Sequence, residues 1–180
     1  MANYFDVKAD PTARISPKAS ILGDVAIGPD TTVFGGAYIR GDMAPVRIGT
    51  NSNVQECAVI HVDIDFPCTV GDNVTIGHGA IVHGCTIGDN CLLGMGSVVM
   101  NGAVLGEGCL VAAGALVSQG KVYPPRTLIM GVPGRAVRTI PDDEYEAVVL
   151  KGAREYYEVG REMVEQGAMF NPGPDFKGQA

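Results

Sequence analysis

From residue 15 the aliphatic positions recur every six residues: Ile15, Ile21, Ile27, Val33 and Ile39 stand in strict phase. The phase breaks at Pro45 and resumes at Ile48, Val54 and Ile60. It passes over an excursion containing Asp63, Asp65 and Pro67, then returns at Val70, Ile76 and Val82. After a five-residue step it runs on through Ile87, Leu93, Val99, Leu105, Val111 and Val117. Four residues after each aliphatic the side chain is usually small, from Ala19 and Val25 through Thr86 and Cys91 to Ala115; Met43 and Ile64, beside the interruptions, are exceptions. An amphipathic helix needs spacings of three and four, so an unbroken six excludes helix and predicts a short strand and a turn in each hexad. Residues 1–14 read as a polar lead-in. The prolines of 121–140 predict an extended connector. Pro141 with Asp142, Asp143 and Glu144 opens a helix over 141–167, with Tyr145, Val149, Tyr156, Val159 and Met163 on its apolar stripe and Gly167 as its stop. The Pro- and Gly-containing residues 168–180 read as a mobile tail.

A large aliphatic with a small residue four places on resembles the hexapeptide repeat of the left-handed parallel β-helix. The resemblance covers roughly residues 15–120 and implies a mainly β fold with a C-terminal α-helix. Three hexads would complete one triangular coil, aliphatics inward, and coils would stack at about 4.8 Å. The 25 glycines, with no collagen period, suit many tight turns between short strands.

A formal net charge of −7 argues against nucleic acid and acidic membrane surfaces as partners. The N-terminus carries no secretory pattern and no apolar run is long enough to span a bilayer, which predicts a soluble, cytoplasmic protein. Five cysteines without CxxC spacing predict reduced thiols. Cys91 and Cys109 fall at the inward small position, whereas Cys85 counts as roughly outward.

All three histidines lie between Asn53 and Gly84. Counted in hexads, Ile39, Ile60 and Val82 stack one above another, so their successors Arg40, His61 and His83 form one outward file. His61 and His83 then sit on adjacent coils, close enough to share a metal ion. His78 falls on the preceding face, above Glu56. A third ligand there is awkward within one chain and natural from a neighbour, so the repeat predicts a homotrimer with metals between subunits.

At these residues the sequence resembles the gamma-class carbonic anhydrases: Arg40-Gly41-Asp42, Asn53-Val54-Gln55-Glu56 leading to His61, Gly77-His78-Gly79 and Val82-His83-Gly84. The resemblance implies a homotrimer in which His61 and His83 of one subunit and His78 of the next bind Zn2+, or Fe2+ or Co2+. Three imidazoles would leave a position for water, acidified enough for its hydroxide to hydrate CO2 to bicarbonate. It further implies that Gln55 orients that hydroxide and that Arg40 and Asp42 pair across the subunit interface. Glu56 stands where the family commonly has Asp and is expected to reach the arginine with its longer side chain. Tyr156 resembles a helix tyrosine that approaches the metal in short-loop relatives. Met43 replaces a glutamate of the best-known active form and the acidic loop is cut to residues 62–67, so proton transfer is expected to be slow unless Asp63 or Asp65 serves. The competing readings are a hexapeptide acyltransferase using coenzyme A and a weakly active or non-catalytic metal-binding trimer.

Overall fold

A computed structural model describes residues 3–180. Every hexad aliphatic from Ile15 to Val117 points inward and is at most 5% exposed. Burial of this column is the main stabilising term: each side chain leaves water, and each strand hydrogen-bonds to the coil above and below.

Parallel pairing runs round three faces. On the first face Tyr38, Val59, Ile81, Val98 and Leu116 share a register. The second stacks Val46–Ile48, Cys68–Val70, Thr86–Ile87, Val104–Leu105 and Val122–Tyr123. The third is an 8-stranded sheet from Arg14–Ile15 to Arg135–Thr139. The first two faces are joined by long strands, Ser20–Ile27 and Tyr38–Ile48, that turn the corner without ending. Gly23 and Gly41 meet there: a Cβ on Gly23 would lie within 2.3 Å of the Gly41 carbonyl oxygen. Beyond the corner Val25 pairs with Val46, so Tyr38–Ile48 carries extra residues there that Ser20–Ile27 does not, and the six-residue phase fails at Pro45.

The hexads continue beyond 120. Tyr123 and Ile129 keep the six-residue phase, are buried, and belong to strands Val122–Tyr123 and Thr127–Met130, which stack on the preceding coil. The antiparallel strand Arg135–Thr139 then covers the last edge of the third face. Residues 121–140 are thus a final piece of β-helix with its cap; the prolines sit at turns, where no ladder N–H is needed.

The five-residue step corrects the assignment of Cys85. With one residue fewer between strands, Cys85 takes the inward place beside Cys68, and Thr86 is exposed.

The C-terminal helical segment begins at Asp142–Glu144, widens into a π turn over Tyr145–Leu150 and continues as Lys151–Glu165; Gly167 has φ of 75°. It lies along its own chain's third face. The extra residue of the π turn rotates the remainder of the helix, so Tyr145, Val149, Ala153 and Gly160 are buried while Val159, expected inward, is exposed. A Cβ on Gly160 would come within 2.5 Å of Thr32 Oγ1.

The tail is fixed rather than mobile. Ile15 N–H donates to the Phe170 carbonyl at 2.9 Å and Ile21 N–H to that of Gln179 at 2.7 Å. Val7–Ala9 pairs with Val25–Ile27. Each edge of the first coil is therefore covered, two of them by the tail, because an open row of backbone donors invites association.

Candidate metal centre

The strand register places Arg40 beside His61 and His61 beside His83, the file that hexad counting gives. His61 Nδ1 stands 3.0 Å from His83 Nε2. Two imidazole nitrogens on a tetrahedral ion with bonds of ~2.0–2.1 Å stand about 3.3 Å apart. The pair thus has nearly the spacing of two ligands of one ion.

Asp42 secures the other edge of His61, its Oδ1 lying 3.1 Å from Nε2. Arg40 donates to the second oxygen of the same carboxylate. Arg40 and Asp42 pair within the chain, because residues two apart on a strand project from the same face. Burial opposes ionisation of Asp42, but the hydrogen bond from His61 and the charge of Arg40 outweigh it and hold the carboxyl below its ordinary value. Burial pushes His61 down; the Asp42 hydrogen bond and charge oppose this, whereas the charges of Arg40 and His83 act with it. A neutral His61 has one N–H. Since a carboxylate only accepts, that proton faces Asp42 and the Nδ1 lone pair faces His83. A lone pair held at this spacing from a second imidazole nitrogen is a donor set that accommodates a cation.

His78 is set apart from this pair. Its Nδ1 lies 2.7 Å from Glu56 Oε2, and Tyr156 Oη is 3.3 Å from its Nε2. Within the chain Glu56 therefore holds His78, because stacking at equivalent hexad positions makes the histidine its near partner. Among the described residues, no group of three or more His, Cys, Asp or Glu closes a metal site within the chain.

Gln55 is buried, with Nε2 donating to Asn53 Oδ1 and Oε1 accepting the His78 backbone N–H, each at 3.1 Å. It keeps one amide N–H for anything further. Tyr156 packs edge-on against Phe34 with ring centroids 5.6 Å apart, and burial, then the charges of Glu56 and Glu155, raise its pKa. Asp65 turns in a left-handed conformation at φ 66° in the short loop. Sequence reasoning missed Asn101, whose Oδ1 is 2.5 Å from His83 Nδ1. The available signal was its position just after Met100, one coil above His83.

A parallel β-helix with a histidine pair on its outer face defines a hexapeptide-repeat protein with a candidate metal centre. A family model described as bacterial transferase hexapeptide (six repeats) matches residues 84–119. A Methanocaldococcus jannaschii protein named "Probable carbonic anhydrase" is 47% identical over 135 residues, covering 75% of this chain and 85% of its own length. Carnitine operon protein CaiE of Escherichia coli is 43% identical over 134 residues, 74% of this chain and 68% of its own. A Bacillus cereus structure provisionally described as an acetyltransferase superposes with TM-score 0.87 at 36% identity, covering 89% of this chain and 92% of that one. The chain belongs to the gamma-class carbonic anhydrase family.

Proposed function

We propose that the protein is a metal-dependent carbonic anhydrase that assembles as a homotrimer, each site combining His61 and His83 of one subunit with His78 of the next. The observation that carries this reading is the His61–His83 pair, 3.0 Å apart on an outer face. Beside it runs an outward apolar file of Tyr38, Val59, Ile81, Val98 and Leu116, which suits burial against another copy. A bound Zn2+, Fe2+ or Co2+ would supply the activation of water that CO2 hydration requires near neutral pH.

The chain's own residues do the rest. Asp42, anchored by Arg40, holds the His61 ring; Glu56 holds His78 at Nδ1 and leaves Nε2, which Tyr156 Oη meets at 3.3 Å, as the nitrogen to be offered to a metal. Gln55 offers its remaining amide N–H to an oxygen at the site. Among the described residues no helix is long and apolar enough to cross a membrane.

Metal analysis of protein purified without added metal, light scattering for subunit number and stopped-flow CO2 hydration on zinc- and iron-loaded protein test the proposal together. One metal per chain, a trimer and a rate above that of free metal are expected; a metal-free monomer would overturn it. The second reading, an acyltransferase using coenzyme A, draws on the Bacillus cereus likeness, and saturable binding of acetyl-coenzyme A by calorimetry would favour it.

A further inference from the structure

Asn101 makes contacts that the reaction as proposed does not use. It follows Met100 at a corner of the coil above His83, and its two amide atoms face different partners. Oδ1 is 2.5 Å from His83 Nδ1, and Nδ2 is 3.3 Å from Asp63 Oδ2 in the short loop after His61. The second oxygen of Asp63 caps the backbone N–H of Ile64 at 2.8 Å, so the carboxylate is itself fixed.

The protons along this chain are set by chemistry. A carboxylate accepts and cannot donate, so the Asn101 amide must turn its NH2 to Asp63 and its carbonyl oxygen to His83. A carbonyl oxygen also only accepts, so His83 must carry its proton on Nδ1. Its Nε2 is then a lone pair, and it faces the Nδ1 lone pair of His61. Space for the contact comes from Gly84: a Cβ there would lie 2.6 Å from Asn101 Oδ1 and 2.7 Å from Phe66 Cβ. Phe66 belongs to the same short loop, so the glycine lets loop and amide close together over the histidine.

We propose that Asn101 is a positioning residue, anchored by Asp63, that locks His83 in the Nδ1–H tautomer and directs its Nε2 lone pair at His61. This rests on the metal-centre reading for its purpose but not for its geometry. It also gives Asp63 a holding role in place of the proton transfer considered from sequence. An imidazole fixed through its second nitrogen binds metal more tightly, and loss of such a partner typically costs about 10–100-fold in affinity.

The test is long-range 1H–15N correlation of the imidazoles in metal-free protein, then zinc titration against a chromophoric chelator. Wild type is expected to show His83 protonated at Nδ1. Asn101→Leu should populate the Nε2–H form and weaken zinc binding about 10–100-fold. Because that variant can fail to fold, the exchanged pair Asn101→Asp with Asp63→Asn is the control: it keeps an acceptor toward His83 and a donor toward that acceptor. It should restore both the Nδ1–H signal and affinity to within about threefold of wild type, whereas Asn101→Asp alone sets two carboxylates together and should not. An Nε2–H tautomer in wild type, or an exchanged pair that restores neither readout, overturns the proposal. Failure of CO2 hydration alone, with the tautomer and zinc results as expected, would overturn the proposed activity and leave this assignment standing.

Discussion

Glu56 and His78 share one corner position on adjacent coils, with the carboxylate Oε2 2.7 Å from the imidazole Nδ1. Both groups are partly in solvent, so the contact adds little to stability; its effect is on orientation. Glu56→Ala is expected to weaken metal binding about 10–100-fold with little change in thermal midpoint. Glu56→Gln, which keeps an acceptor, should recover most of that loss in a chelator competition.

Division of the site between subunits can be read by complementation. His61→Ala and His78→Ala should each abolish metal binding alone. In any mixed trimer of the two, one interface has all three histidines. Co-refolding equal amounts should therefore restore about a quarter of the wild-type metal content, measured by elemental analysis. No recovery would place the site within a single chain.

Helix docking depends on Gly160. A methyl there would meet Thr32 Oγ1 at 2.5 Å and Arg14 Cδ at 3.1 Å. Gly160→Ala should raise helix propensity yet lower stability by about 1–3 kcal/mol, because overpacking outweighs the propensity gain. Adding Thr32→Ala should return part of the loss in urea denaturation.

Removal of residues 168–180 should uncover the first coil where Phe170 and Gln179 now accept its backbone N–H groups. Concentration-dependent association in light scattering and a lower thermal midpoint are expected. A monodisperse truncation with an unchanged midpoint would refute a capping role.

The exchange of Cys85 and Thr86 is equally testable. Cys85→Ala should cost about 1 kcal/mol or more as a buried side chain is shortened, while Thr86→Ala at the exposed position should stay within about 0.5 kcal/mol. Chemical denaturation of the two variants decides the assignment.

Hexad counting alone places Arg40, His61 and His83 in one file, because a six-residue step in a parallel stack maps sequence onto space almost linearly. The count fails where the step changes length. At the five-residue hexad it assigns Cys85 outward, and beyond 120 the prolines conceal Tyr123 and Ile129, which hold the phase. The helix stripe slips at Val159 because a π turn leaves no mark in apolar spacing. Asn101 is illegible for a different reason: a side-chain amide bridging two coils has no periodic signature. The tail reads as mobile from composition alone, although Phe170 and Gln179 contribute backbone that the first coil lacks.

That seal has a temporal side. Ile21 and Gln179 form mutual backbone hydrogen bonds across 158 intervening steps of the chain. At translation rates of about 5–20 residues per second, the first coil emerges roughly 8–30 s before Gln179 is made. During that interval its edge is open to any neighbouring nascent chain, so a ribosome-bound fragment should engage chaperones that the finished protein no longer needs.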